Sequence, residues 1–364
     1  MRLWNGWGNE DSDLTMELSD GLRALLEALV GPGTALSQAT LNEVIAKVPN
    51  SRLGEHPLIK TEPEIRVRHA RGQSLPDWLE MHSGNVDTFP DGVAFPESSE
   101  QVRELLAYAK ENNLIVIPYG GGTSVVGHIN PETSDKPVLT IDMVKMNSMS
   151  SIDTESQLAT FGAGAPGPVV EEELKKHGYT LGHFPQSWEL STLGGWVASR
   201  SSGQQSLHYG RIENMFAGGT IETLNGTMKI PTIPASSAGP DVREMILGSE
   251  GRMGIITEVI VRITPLPEKE KFQVVFFPSW EIGISAAREL IQQRVALSMV
   301  RLSNPLETTS LLYMGAGSDS SGVVALEESL SKKGIGEGKV MMTCLLYTSP
   351  SPRDLSTSRM PSSA

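Results

Sequence analysis

The residues whose types and spacing promise the most chemistry are Tyr119-Gly120-Gly121-Gly122-Thr123-Ser124, set behind Pro118. Three consecutive glycines reach backbone angles closed to other residues and let another group approach the main chain closely. Successive N–H groups in such a loop converge into an anion-binding nest. The hydroxyls of Thr123 and Ser124 stand where a phosphate would sit. The Walker spacing and its lysine are absent, and the loop is not the dinucleotide turn that opens directly into a helix. A plain surface turn is the competing reading. Two later stretches also carry glycine in turns. His183 to Gly203 runs proline, hydroxyls, the pair Gly194-Gly195 and then small residues, which suggests backbone packed against a flat ligand. Gly248 to Gly254 forms a third turn, leading into an alternating strand, Thr257 to Thr264. Arg66, Arg68, His69 and Arg71 make a basic stretch, read as a solvated face, with a phosphate or carboxylate contact as the alternative.

Positioning these turns requires a mixed set of elements. Leu114 to Ile117 is an apolar strand feeding the triple glycine. Before it, Ser98 and Gln101 fit a capping box, and Val102, Leu105, Leu106 and Ala109 recur at helical spacing. Val138 to Asp142 and Leu158 to Phe161 read as strands, and Val169 to Lys176 as a helix closed by Gly178. Asn225-Gly226 between two strands is a hairpin signal. Leu22 to Val30 is a helix starting at Ser19 or Asp20. Trp4 and Trp7, in a glycine-rich arm, should pack on the main body. After Glu268 the composition changes, and Phe272 to Leu302 reads as strand, helix, strand. Ser318 to Gly338 is polar and weakly patterned. Leu345 to Ala364 is rich in Ser, Pro and Thr with no hydrophobic period, as a disordered tail would be.

Composition sets the outer limits. The chain has 364 residues, 39% hydrophobic and 20% charged, which describes a globular protein of two or three domains. A net charge of -13 argues against a nucleic-acid groove or a general membrane-surface role, though not against a local pocket for a phosphorylated ligand. The one cysteine, Cys344, excludes a disulfide framework and a cysteine zinc site, and seven scattered histidines carry no metal spacing. No run approaches a membrane span, and Met1 to Asp13 lacks the apolar core of a signal peptide. A soluble cytoplasmic protein is the expectation.

The three glycine turns, in this order, resemble the FAD-binding domain of the vanillyl-alcohol oxidase (PCMH-type) superfamily. Trp4-Asn5-Gly6-Trp7-Gly8, Pro118 to Val125, Ser191 to Val197, Gly248 to Glu258 and Met299-Val300-Arg301-Leu302 look like the alkylglycerone-phosphate synthases within it. The likeness covers roughly residues 1 to 310. His183-Phe184-Pro185-Gln186-Ser187 departs from the animal enzymes, which favour an acidic residue where Gln186 stands; that departure bears on the substrate.

The resemblance implies an α+β chain: a two-subdomain FAD-binding fold, then the start of an α+β substrate (cap) domain. Its parts would be an arm and helical lead-in over 1–86, the FAD domain over 87–268, a truncated substrate domain over 269–343 and an adaptor-like tail over 344–364. It implies non-covalent FAD. Pro118, Tyr119, Gly120, Gly121, Gly122, Thr123 and Ser124 would cradle the pyrophosphate. Gln186, Ser187, Ser191, Thr192, Ser199, Arg200, Ser201 and Ser202 would lie toward the ribityl chain and flavin. Glu250, Gly251, Gly254, Ile255 and Ile256 would close over the adenine. Arg301 matches an arginine near flavin and substrate, with an ordinary strand arginine as the alternative. The implied reaction exchanges the acyl chain of acylglycerone phosphate for a fatty alcohol, with a homodimer as the complete form. The family's histidine-rich motif lies further downstream than this chain reaches, so the fragment is expected to be inactive. The alternatives are an FAD-dependent 2-hydroxyacid oxidoreductase and a flavin-binding fragment without catalysis.

Overall fold

The computed structural model describes residues 2–11, 20–34, 36–234, 236–315 and 321–348. They fall into two compact units. The first takes the chain up to Leu14, Ala35–Gln204 and Gly210–Pro265; the second takes Thr15–Thr34, Gln205–Tyr209 and the chain from Leu266.

The first unit is built on two sheets. One consists of β1 (Ile59–Lys60), β2 (Gly92–Ala94), β3 (Ile115–Tyr119) and β4 (Val138–Asp142), in the order β1-β2-β4-β3. β2, β4 and β3 run parallel, and β1 is antiparallel to β2. Pro118 is tolerated inside β3 because β3 is an edge strand, where a missing N–H breaks no ladder. Next come β5 (Met149–Asp153), β6 (Leu158–Gly162), the two-residue β7 (Tyr179–Thr180), β8 (Phe216–Thr223), β9 (Gly226–Ile230), β10 (Ile255–Arg262) and β11 (Thr264–Pro265). The second sheet is antiparallel, β5-β6-β10-β8-β9, with β7 and β11 paired apart from it. Asn225-Gly226 closes the β8–β9 hairpin, with Gly226 at φ 124°.

The helix Ser99–Glu111 buries Val102, Leu105, Leu106 and Ala109, the four positions its period picks out. Leu105 and Leu106 share one core with Leu139 and Ile141 of β4 and with Ile255 of β10, so this helix ties the parallel sheet to the antiparallel one. Its N-terminus differs from the expected capping box. Ser98 Oγ accepts from Gln101 N–H, but the Gln101 side chain accepts from Glu97 N–H instead of closing the box. Trp4 of the N-terminal arm packs against a second core with Val44, Val67 and Met81, as expected of it.

The basic stretch is not a solvated face. Arg66 is 1% exposed and donates to the carbonyls of Pro49 and Pro90. Arg71 is buried, paired with Glu80 and Asp87, and Arg68 pairs with Glu64 and Glu10. These side chains pin loops together, because each guanidinium can satisfy several buried acceptors at once.

The second unit holds β12 (Lys269–Phe277), β13 (Met299–Ser303) and β14 (Val340–Thr348), in the order β12-β14-β13. The expected strand–helix–strand is there, with the helix at Trp280–Gln292, but β14 lies between the two strands and runs antiparallel to both. That corrects two expectations. Residues 344–348 are not tail: they end the middle strand, and Cys344 and Leu345 are buried. The weakly patterned stretch contains a helix, Ser321–Lys332, that buries Val323 and Leu330. Residues 349–364, and Ser19 as a helix start, lie outside the described residues. The helix Asp20–Val30 belongs to this second unit, with Gly21 against Tyr313, so it is not part of the lead-in to the FAD-binding region.

Candidate functional site

The three glycine turns meet in the first unit, and they meet through their glycines. A Cβ on Gly120 would overlap the hydroxyl of Thr192, and one on Gly121 would overlap the carbonyl of Leu190. Gly122 sits at φ 62° directly over the Tyr119 hydroxyl. Gly251, at φ 83°, lies where a Cβ would come within 2.7 Å of the Pro118 ring. The third turn is also hydrogen-bonded to the helix Leu193–Ser199: Glu250 N–H donates to Ala198 C=O at 2.9 Å and Gly248 N–H to Val197 C=O at 3.2 Å. The glycines are therefore needed for turn-on-turn packing as well as for any ligand.

Between the turns lies a hollow of about 350 Å³. Pro118 to Ser124, Ser187, Ser191, Thr192, Ser199, Ser201, Glu250, Gly251, Gly254, Ile255 and Ile256 all border it. A second hollow, of about 810 Å³, shares Pro118, His128, Glu250, Gly251, Gly254 and Ile255 with the first. The sequence reading missed the apolar wall: Ile129, Met143, Ala163 and Trp196. The helical spacing of Gly194-Gly195-Trp196 was the available signal for Trp196. Three of the residues expected to bind the cofactor do not border the hollow. Gln186 and Ser202 are exposed on the turns that carry them. Arg200 ends its helix at φ 52°, and its guanidinium donates to Glu213 and Glu244. Arg301 lies in the second unit on β13 and pairs with Glu307 at 2.5 Å.

Several side chains hold the walls. Thr192 caps the helix Leu193–Ser199 through Gly195 N–H, while Leu193 and Gly194 donate backbone bonds to Ala165 and Ala163. Trp196 Nε1 donates to Ser191 Oγ at 2.7 Å. Gln73 N–H holds the far end of the glycine loop by donating to Ser124 C=O at 2.6 Å, and beside it Asn130 accepts from Gly72 N–H and donates to Asp77. His69, held by Asp142 and by Ile65 C=O, packs tilted against the Tyr119 ring, with 4.7 Å between the ring centres. Burial pushes the Tyr119 phenol up to about 12, so it stays neutral beneath the loop.

His183 has no exposed surface; its Nε2 lies 2.6 Å from Ser201 Oγ and its ring 5.0 Å from Trp196. Burial lowers it to about 4, so it is neutral at pH 7. Its Nδ1 has no partner among the described residues. A buried N–H left without an acceptor is rarer than an acceptor left without a donor, which puts the proton on Nε2. Ser201 then accepts from His183, and its own O–H is free to donate into the hollow. Just upstream, buried Glu171 accepts from Thr180 Oγ1 and from the N–H groups of Leu181 and Gly182, fixing the approach to His183.

These features fit a dinucleotide flavin. The loop glycines leave backbone N–H groups uncovered for an anion, hydroxyls follow, and an apolar wall faces them. Among the described residues no cluster could hold a metal ion, and no helix is long and apolar enough to cross a membrane.

A family model described as FAD binding domain matches residues 90–230. The chain is 37% identical over 250 residues to alkyldihydroxyacetonephosphate synthase of Dictyostelium discoideum, covering 69% of this chain and 41% of that protein. It is 30% identical over 243 residues to D-lactate dehydrogenase [cytochrome] 1, mitochondrial, of Saccharomyces cerevisiae, covering 64% and 41%. A solved structure of alkyldihydroxyacetonephosphate synthase superposes with a TM-score of 0.84 at 27% identity, over 98% of this chain and 71% of that one. The chain spans less than half the length of either curated relative. With the turns and the apolar wall in the first unit, which also holds the matched residues apart from Gln205–Tyr209, the chain belongs to the PCMH-type FAD-binding superfamily, as a flavoprotein homologous to the alkyldihydroxyacetonephosphate synthases.

Proposed function

We propose that this hollow holds FAD without a covalent link, and that the chain is the flavin-binding part of an alkylglycerone-phosphate-synthase-like enzyme. The observation that carries the reading is the closure of three glycine turns on one hollow, with no lysine or arginine side chain among its described lining residues. Such a lining recognises an anion through backbone N–H groups. Pro118 to Ser124 bind the pyrophosphate. Ser187, Ser191, Thr192, Ser199 and Ser201 face the ribityl chain and flavin, with Ser201 oriented as a donor by His183. Glu250, Gly251, Gly254, Ile255 and Ile256 close over the adenine end. Ile129, Met143 and Trp196 exclude water, which strengthens every polar contact inside. When bound, the flavin supplies the nitrogen chemistry that exchanges the acyl chain of acylglycerone phosphate for a fatty alcohol without net redox change. Arg301, on β13 of the second unit, is the catalytic candidate that the family likeness offers.

Purified protein is expected to show a flavin spectrum, and acid precipitation to release the yellow colour into the supernatant. Colour kept in the pellet would refute the non-covalent link, and a colourless protein that gains no colour from added FAD would refute the flavin site. The similarity to the yeast D-lactate dehydrogenase supports a second reading, a 2-hydroxyacid oxidoreductase. Under that reading D-lactate or glycolate bleaches the bound flavin anaerobically; under the first it does not. The N-terminal arm, folded against Val44 and Met81, favours the synthase-like reading, because the hydroxyacid group lacks the arm.

A further inference from the structure

The hollow's own charge does not match the ligand proposed for it. A diphosphate brings negative charge, while the one charged side chain of settled sign among the described residues lining the first hollow is the carboxylate of Glu250; Lys110 and Arg252 border only the second. Backbone N–H groups offset part of this, but a nest carries only partial charges. The cation that reaches the glycine loop comes from the start of the chain. Arg2 Nη1 donates a hydrogen bond to the Gly121 carbonyl.

Arg2 is held in place by a folded clasp. It bridges to Asn9, and Leu3 N–H donates to Gly8 C=O at 2.9 Å. Trp4 is anchored in the core beside Val44 and Val67. Arg68 donates to the Arg2 carbonyl at 2.6 Å and pairs with Glu10 at 2.9 Å, gripping the clasp at two points. No cis peptide occurs among the described residues. In a trans peptide the carbonyl of one residue and the N–H of the next point in opposite directions. A guanidinium on the Gly121 carbonyl therefore fixes the Gly122 N–H facing away from Arg2, and polarises that peptide into a stronger donor. Tyr119, neutral beneath Gly122, adds no negative charge to oppose it.

We infer that Arg2 is a diphosphate-binding residue acting from behind the glycine loop: it orients and polarises the Gly121–Gly122 peptide and supplies the positive charge that the lining lacks. The inference rests on the reading of this loop as the FAD pyrophosphate site. Arg2→Gln, Arg2→Lys and Gly121→Val are compared with the unaltered full chain, with affinity for FAD and for riboflavin read from flavin fluorescence at low and high salt. Riboflavin has no phosphate. Arg2→Gln is expected to weaken FAD by about tenfold at low salt, to flatten the salt dependence and to leave riboflavin unchanged, with Arg2→Lys recovering part of the loss. Equal losses for FAD and riboflavin would make Arg2 a structural clasp only and overturn its role with phosphate. Unchanged FAD affinity in Arg2→Gln, with Gly121→Val still losing FAD, would overturn the inference while leaving the loop reading intact. Gly121→Val that folds and keeps FAD would overturn the loop reading itself.

Discussion

Gly121 shows how one position can be read correctly for an incomplete reason. From the sequence, a side chain there would occupy space needed by a phosphate. In the structure it would first strike the Leu190 carbonyl, so the loop would part from the 187–192 turn before any ligand arrived. Gly121→Val is therefore expected to lose FAD binding and also about 1–3 kcal/mol of stability; a variant with unchanged thermal midpoint would contradict the packing role. His183 carries a pH prediction. Burial lowers it from 6.5 to about 4 in the fold. The unfolded chain thus takes up a proton in a range where the folded one does not. The stability contributed by neutral His183 is fully present above about pH 6.5 and is lost as pH falls toward about 4, on the order of 3 kcal/mol in all. His183→Asn should flatten the fall in urea midpoint between neutral and mildly acid buffer. Equal slopes in the two proteins would show that His183 does not titrate this way.

At the scale of elements, β14 carries the second unit's sheet. Leu345 faces Phe272 on one side and Met299 on the other in register, and is 1% exposed, whereas Phe272 is 61% exposed. Leu345→Ala is expected to cost about 2–5 kcal/mol, and Phe272→Ala far less. Limited proteolysis within residues 266–348 would report the difference, and equal resistance of the two variants would contradict the central placing of β14. The strand was legible in part: Val340, Met342 and Cys344, two apart, all turn inward. The Ser/Pro-rich run that follows carries no such alternation, and Leu345, at the join, is buried out of step with these three. The helix Ser99–Glu111 escaped that difficulty. Its apolar residues recur over three turns with polar ones between, so one face alone could be buried.

Across the whole molecule, charge behaves differently from its appearance in the chain. A basic cluster at residues 66–71 reads as a ligand contact or a solvated face, yet Arg66 and Arg71 are buried among carbonyls and carboxylates. A cation that does meet the glycine loop is Arg2, far from it in sequence. The α+β class and the kind of cofactor came from the likeness of its motifs to a known family; the sequence by itself determined the three glycine turns, the hairpin at Asn225-Gly226, the helix Ser99–Glu111 and the strand that feeds the loop. Each of these follows from rules acting over a few neighbouring residues: φ angles open to glycine, a helical period, a turn dipeptide, a motif. Only the tertiary structure decided that the turns touch through their glycines, that His183 is buried against Ser201 and Trp196, that β14 divides β12 from β13, and that the arginines serve as pins. Those outcomes depend on which distant groups meet and how much water is left between them, and neither quantity is written in the local pattern of the chain.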